Sequence, residues 1–387
     1  MNILLLAKAY PPTIGGVENY SYYIAEKLGN ENKVKVLTFE DVDQKNNGDD
    51  KNAKVVRLPL SSREFLSGIR LFSAVYRETN KNHKPDIIIA TTWKVLIPLL
   101  VLRHLVQAPI LLVCHGAEIT RHRNNAFLMF LMRKVIKMAD QIICVSEYTK
   151  GILKKYSNVE LENVTVIPNG IDLTRINRYE KQVAREKLSL PKDASILLTV
   201  SRIDHRKGHE KVIRLLPELK KSHPKLYYVV VGDGPLKKDL ENLVDRLGLT
   251  EKDVLFTGFV TDLELQLYYS SCDLFIMINT MDSEEDFEGF GFVFAEAGAY
   301  GKPAIGGDNS GPREVIEHES SGYLVKSDDK EALGGYIQKL LNDRTLLDQM
   351  GKNARERVDQ YFTLDRMIQR FKHVVNHCVH NNQSAKD

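Results

Sequence analysis

Short runs of β-branched and aliphatic residues alternate with longer amphipathic stretches along most of the chain. In the first half the runs are Ile3 to Ala7, Lys33 to Thr38, Asp86 to Ala90, Ile110 to Val113, Gln141 to Val145 and Val164 to Ile167. Each is short, β-rich and bounded by polar or turn residues, which predicts buried strands separated by helices, an α/β pattern with a parallel sheet. After a charged linker, Arg175 to Lys192, in which Pro191 marks the close, the pattern restarts. The second series is Ser195 to Val200, Leu226 to Val231, Val254 to Thr257, Leu274 to Ile278, Pro303 to Ile305 and Tyr323 to Val325. Two Rossmann-like, doubly wound domains facing a cleft are expected, with ligands at the carboxyl ends of the strands.

The stretch from Lys330 to His380 has helical periodicity, with Leu340, Leu341, Leu347, Met350, Phe362, Met367 and Phe371 as expected core contacts. Residues 1–178 are assigned to an amino-terminal Rossmann-like domain and 194–360 to a carboxy-terminal one, with a helix over 361–380 packing back on the first. Asn381 to Asp387 reads as a frayed tail, and the polar run Glu40 to Lys54 as a surface loop. Val95 to Cys114 has the length of a membrane span, but Pro98, Arg103, His104 and Pro109 interrupt it. A helix through Val106 followed by a strand is the expected form. Met1 to Leu6 is too short and lacks the basic flank of a secretory signal.

With 43% hydrophobic and 27% charged side chains in 387 residues, the composition excludes disorder, collagen and disulfide scaffolds. A net charge of +3 is too balanced for a general nucleic-acid binder. The charge is unevenly spread: residues 1–174 hold 23 Lys+Arg against 17 Asp+Glu, leaving 31 against 34 for the rest. Cys114, Cys144, Cys272 and Cys378 form no C-x-x-C pair, which fits a reducing cytoplasm.

The first strand leads into PPTIGGVENY, where Gly15 and Gly16 precede a helix and would let backbone approach a phosphate. VSRIDHRKGHE follows a strand and sets Arg202 and Lys207 near a helix start, where two cations could clamp a diphosphate. In VVVGDGP, Lys237 stands where a dinucleotide fingerprint needs a third glycine, so a nicotinamide dehydrogenase is disfavoured. Glu288 and Glu296 flank Gly289 and Gly291 in DFEGFGFVFAEAGAYG. A helix starting near Phe292 would place Glu296 inside it and Glu288 in the preceding loop, with amides favouring an anion between them. In such apolar company a carboxylate needs a partner. ILLVCHGAE ends with His115 beyond a strand, in reach of a cleft ligand.

Together PPTIGGVE, HGAE, VSEYTK, IPNGID, VSRIDHRKG, VGDGP, the Glu288-x7-Glu296 segment, GGDNSGPREVI and SGYLV resemble the retaining GT-B glycosyltransferases of family 4, group 1, over nearly the whole chain. The pattern is similar to that of phosphatidylinositol mannosyltransferases and lipopolysaccharide or polysaccharide glycosyltransferases. The resemblance implies a nucleoside-diphosphate sugar as co-substrate, with no bound metal or cofactor. Arg202 and Lys207 would hold the diphosphate, Glu296 the ribose, and Glu288 hydroxyls of the transferred sugar. Amides of Phe290, Gly291, Phe292 and Val293 would hold sugar and phosphate, and the base would meet backbone near Phe259 and Val260. Gly16 would approach the phosphate from the other domain, and His115 would touch the donor sugar. Two departures stand out, the acidic MDSEEDF before Glu288 and the Asp308-Asn309 pair after Gly307. The Asp41-Val42-Asp43 triplet, a metal signature elsewhere, lies in a hydrophilic loop and is read as incidental.

Between Ile119 and Ala139, Arg121, Arg123, Arg133, Lys134 and Lys137 surround the apolar run Ala126 to Met132 with no acidic residue. This is a candidate surface for an anionic membrane, and points to a lipid-linked or glycan acceptor and a peripheral place on the inner face of the cytoplasmic membrane. Core packing of the same helix explains the pattern equally well. Arg63, Arg70 and Arg77 form a second basic series. A catalytically silent GT-B partner subunit would have lost the cations or the paired glutamates, and both are present.

Overall fold

The computed structural model describes residues 1–13, 15–40, 51–60, 64–80, 84–158, 161–280 and 287–384. The Asp41-Val42-Asp43 triplet, Arg63 and the acidic residues 281–286 lie outside the described residues. The chain divides into two compact units, one of Met1–Asn169 with the stretch from Asp365 onward, the other of Gly170–Leu364.

In the first unit a parallel sheet runs in the order β3-β2-β1-β4-β5-β6-β7. Its strands are β1 (Asn2–Leu6), β2 (Lys33–Glu40), β3 (Ala53–Pro59), β4 (Ile87–Ala90), β5 (Ile110–Cys114), β6 (Gln141–Cys144) and β7 (Val164–Val166). Strands β4 and β5 are apolar on both faces and fully buried, as a sheet covered by helices on both sides requires. The second unit repeats the plan with β8 (Ser195–Val200), β9 (Leu226–Val231), β10 (Val254–Gly258), β11 (Leu274–Met277), β12 (Ala304–Gly307) and β13 (Gly322–Val325). Their order is β10-β9-β8-β11-β12-β13, again parallel. Strand order reverses between β1 and β4 and between β8 and β11, and ligands of such sheets bind beyond the carboxyl ends at that point.

Several expectations need correction. The run from Glu40 to Lys54 is not wholly a loop: β2 extends through Glu40, and Ala53 and Lys54 open β3. No helix runs through to Val106. Pro98 breaks the stretch into a 3-10 turn Trp93–Leu96, a helical turn Leu99–Leu102 and a second 3-10 turn Arg103–Leu105. Arg103 Nη1 donates to the carbonyls of Val106 at 2.8 Å and Ala108 at 3.3 Å, so it fastens the end of this segment to the chain. Among the described residues no helix is long and apolar enough to cross a membrane.

The segment read as a linker is partly structural. Helix Lys181–Lys187 carries Arg185, a fully buried side chain that donates to Asp273 Oδ2 at 2.8 Å and to the Ser271 carbonyl at 3.0 Å. Asp273 also accepts from Lys181, Arg344 and the Ile196 amide, so one buried carboxylate ties helix, sheet and carboxy-terminal region together. The terminal helix, Leu364–Ser384, continues into the stretch read as a frayed tail. Phe371, Val375 and Cys378 are buried along it, and Asn382 donates to the Gln107 carbonyl within the first unit. Of the seven expected carboxy-terminal core contacts six are buried, while Leu341 is only partly covered.

Candidate functional site

The loop leaving β8 carries the cations. Its 3-10 turn His205–Lys207 ends at Gly208, whose φ of +69° favours glycine. A Cβ there would fall 2.1 Å from the Ile278 carbonyl oxygen, so only glycine lets this loop lie against the end of β11. The Thr280 amide donates to the Arg206 carbonyl at 2.8 Å and completes the clasp.

Lys207, almost fully buried, donates from Nζ to Glu288 Oε2 at 2.5 Å, and Arg206 Nη1 reaches the same oxygen at 2.8 Å. Burial opposes ionisation of Glu288, but the Lys207 and Arg206 charges win and hold its carboxyl down at about 2. The Gly311 amide donates to the Glu288 carbonyl at 2.7 Å, and a Cβ on Gly311 would lie 2.6 Å from that oxygen. Asn309, in the departure after Gly307, donates to the Asn279 carbonyl at 2.8 Å, while Asp308 pairs with Arg313. Three connections, those leaving β8, β11 and β12, therefore meet around one carboxylate within the second unit.

Arg202 stands apart. Its side chain is exposed and makes no ion pair among the described residues, and the cation that joins Lys207 at Glu288 is Arg206. Arg206 is one charge among several in the polar stretch His205–His209, and its signal in the sequence is its place in His-Arg-Lys-Gly, next to a glycine that turns the loop inward.

Helix Phe292–Ala299 starts where expected, behind Gly291 at φ +83°. Its first amides have no intrahelical acceptor and face forward. Phe290 is buried edge-on against Phe362, 5.6 Å between ring centres, which anchors the turn. Glu296, within the helix, accepts from Tyr269 Oη at 2.7 Å. Burial pushes its carboxyl up to about 7, the Tyr269 hydrogen bond opposes this, and Asp262 adds to it. Phe259, beyond β10, is 88% exposed, and Val260 is half-buried. The glycines of VGDGP serve packing: a Cβ on Gly234 would lie 2.3 Å from the Ile203 carbonyl oxygen.

In the first unit His115 follows β5. Burial lowers its imidazole to about 4, and its Nε2 has no hydrogen-bond partner among the described residues. The Tyr20 ring stands edge-on to it at 5.0 Å. Gly16 opens helix Gly16–Gly29, and a Cβ there would meet nothing within 4 Å. Among the described residues no three His, Cys, Asp or Glu side chains form a metal-binding group.

The two doubly wound units, the second with a cation–carboxylate cluster at its switch point, have the fold of the GT-B class. Residues 14–175 match glycosyltransferase family 4, and residues 180–357 match glycosyl transferases group 1. The chain belongs to this family. It is 28% identical over 381 residues to an uncharacterized glycosyltransferase of Methanocaldococcus jannaschii, covering 94% of this chain and 95% of that one. It is 30% identical over 229 residues to the GDP-mannose-dependent alpha-(1-6)-phosphatidylinositol monomannoside mannosyltransferase of Mycolicibacterium smegmatis, covering 58% of this chain and 59% of that enzyme. Among solved structures, the Anabaena HepE protein in complex with UDP superposes with a TM-score of 0.81 at 21% identity, covering 97% of this chain and all of that one, a likeness of fold.

Proposed function

We propose that the protein is a retaining, metal-independent hexosyltransferase. It moves a sugar of the mannose, glucose or N-acetylglucosamine type from a nucleoside diphosphate to a lipid-linked or glycan acceptor, in cell-envelope polysaccharide or glycolipid synthesis. The Lys207–Glu288 contact carries the reading: it holds a cation for phosphate and a carboxylate for sugar hydroxyls side by side. Arg202 joins Lys207 on the diphosphate, and amides of Phe290, Gly291, Phe292 and Val293 hold phosphate and sugar. Glu296 takes the ribose hydroxyls, Phe259 and Val260 the base. Gly16 and His115 are assigned to donor phosphate and donor sugar.

In the step itself the acceptor oxygen bonds to the anomeric carbon from the face the diphosphate leaves. The carbon–oxygen bond to phosphate breaks with its electron pair going to the phosphate, which also takes the acceptor's proton. Lys207, Arg202 and the helix amides stabilise the charge that gathers there. GDP-mannose, UDP-glucose, UDP-N-acetylglucosamine and ADP-glucose, each offered with membrane-extracted acceptor, test the reading. Turnover of one of them to an α-linked product is expected; an absence of binding or turnover with all four, or an inverted product, overturns it.

The relative from Mycolicibacterium smegmatis is named for a phosphatidylinositol-borne acceptor, which supports a lipid-linked acceptor here. On helix Ala126–Met138, Met129, Met132, Val135 and Ile136 face inward. Phe127 is 70% and Phe130 57% exposed, beside exposed Arg133, Lys134 and Lys137. Aromatic side chains flanked by cations suit peripheral binding to an anionic bilayer on the cytoplasmic side. The double variant Phe127→Asp, Phe130→Asp is expected to lose about tenfold or more of its binding to phosphatidylserine-containing vesicles, from lost apolar burial and added repulsion. Its donor hydrolysis in solution is expected to stay unchanged. Undiminished sedimentation with vesicles would remove this face from the proposal.

A further inference from the structure

A buried line of hydrogen bonds runs from the donor-site loop to the middle of the second sheet. Ser201 Oγ lies 3.0 Å from His209 Nε2, and His209 Nδ1 lies 3.3 Å from Tyr228 Oη. Tyr228 Oη lies 2.8 Å from Thr199 Oγ1, which donates to the Ile276 carbonyl.

The far end fixes its direction. A carbonyl only accepts, so Thr199 gives its one proton to Ile276 and must accept from Tyr228. Tyr228 then has no second proton and accepts from His209 Nδ1–H. Burial keeps the imidazole neutral, at about 4, against the opposing pull of the Arg202 carbonyl and with help from the Lys207 charge. A neutral ring protonated at Nδ1 has its lone pair on Nε2, and accepts from the Ser201 hydroxyl at 3.0 Å in place of that hydroxyl's other acceptor, the Arg202 carbonyl at 3.2 Å.

His209 is the first residue of helix His209–Ser222, and Ser201 directly follows β8. One imidazole thus joins both ends of the loop that carries Arg202, Arg206 and Lys207, and roots them in β8, β9 and β11. The side chain is 2% exposed and Tyr228 wholly buried, so the link is shielded from water up to the half-buried Ser201 at its loop end. We propose that His209 is a positioning residue: through this directed chain it holds Lys207 and Arg206 in register with Glu288 for the donor diphosphate. This rests on the reading of Lys207 as a diphosphate contact. A buried histidine that only fills space is the competing account, and it predicts an effect on stability alone.

Three variants separate these accounts: His209→Phe, which keeps ring volume and removes both nitrogens, Ser201→Ala, which cuts the loop end and leaves the core intact, and Lys207→Ala as control. Donor kcat/KM and urea unfolding are measured for each and for the His209→Phe, Ser201→Ala double. Displacing a reacting contact by about 1 Å can cost up to about a hundredfold in rate. We expect each of the first two to lose about tenfold or more in donor kcat/KM at temperatures where it is fully folded, and the double to be no worse than His209→Phe. A folded His209→Phe within twofold of the parent, beside an inactive Lys207→Ala, overturns the positioning role and leaves the donor site standing. A fully active Lys207→Ala overturns both. Should His209→Phe fail to fold, Ser201→Ala decides: unchanged kcat/KM overturns the role, and a tenfold loss at parental stability supports it.

Discussion

Lys207→Ala is expected to lower kcat/KM for the nucleotide sugar by about 10²- to 10³-fold, the usual loss for one preorganised group aimed at developing charge. The side chain is nearly buried and held on Glu288, so its ammonium needs little reorganisation when the diphosphate arrives. Glu288→Ala is expected to abolish transfer to a similar degree by a different route. It removes the proposed acceptor for sugar hydroxyls but leaves Lys207 and Arg206 without the carboxylate that now neutralises them. Nucleoside diphosphate should therefore bind Glu288→Ala at least as tightly as the parent, and Lys207→Ala more weakly. Calorimetric titration of GDP and UDP into the two variants reads this directly. Equal weakening in both, or full transfer by either, would remove the pair from the proposed donor site.

Acid should not part this pair in the useful range. Because the folded carboxyl titrates near 2, below its ordinary value, the stability it contributes is fully present above about 4.5. That contribution fades only as pH falls from there through about 2.

Donor binding is expected to weaken as pH falls through 7, on the proposed role of Glu296 as the ribose contact. Its folded carboxyl titrates near 7. Only the ionised form accepts two ribose hydroxyls at once. Below that value each pH unit should raise the donor's KM by up to about tenfold, the cost of deprotonating the group before binding. Stability of the free protein takes the opposite sign. A carboxyl raised on folding stabilises the native state below its unfolded value near 4.5, and that contribution is lost as pH rises through about 7. Glu296→Gln should bind donor weakly at every pH and lose the limb. Tyr269→Phe, which deletes the hydrogen bond that favours the charged form, should move the limb upward. A donor KM that is flat between pH 6 and 8 in the parent would exclude this role for Glu296.

Most strands were legible because parallel strands covered on both faces are continuous apolar runs. Ile87 to Ala90 and Ile110 to Cys114 have no polar residue to confuse the period. Strand β3 was not, since Ala53 to Pro59 sits at the sheet edge with Lys54 and Arg57 in it, next to a polar run. The helix at Phe292 and the placement of Glu288 ahead of it could be read from two glycines and two carboxylates. Arg185 could not: a charged residue in a charged segment looks solvated until its partner, Asp273, appears 88 residues on. Arg206 was hidden for the same reason. Arg202 and Lys207 were paired by spacing, but spacing does not show that the turn at Gly208 sends Lys207 inward and leaves Arg202 in solvent.

The second unit is an uninterrupted stretch, Gly170 to Leu364, whereas the first needs both flanks of it. Phe371 and Val375, wholly or almost wholly buried, are synthesised after the whole of the second unit. During synthesis the first unit therefore waits, with part of its core absent, while the second can fold to completion as soon as it emerges. Translation stalled just short of Asp365 should leave a protease-resistant fragment of the second unit beside a digestible first one, the reverse of the usual amino-terminal lead in folding.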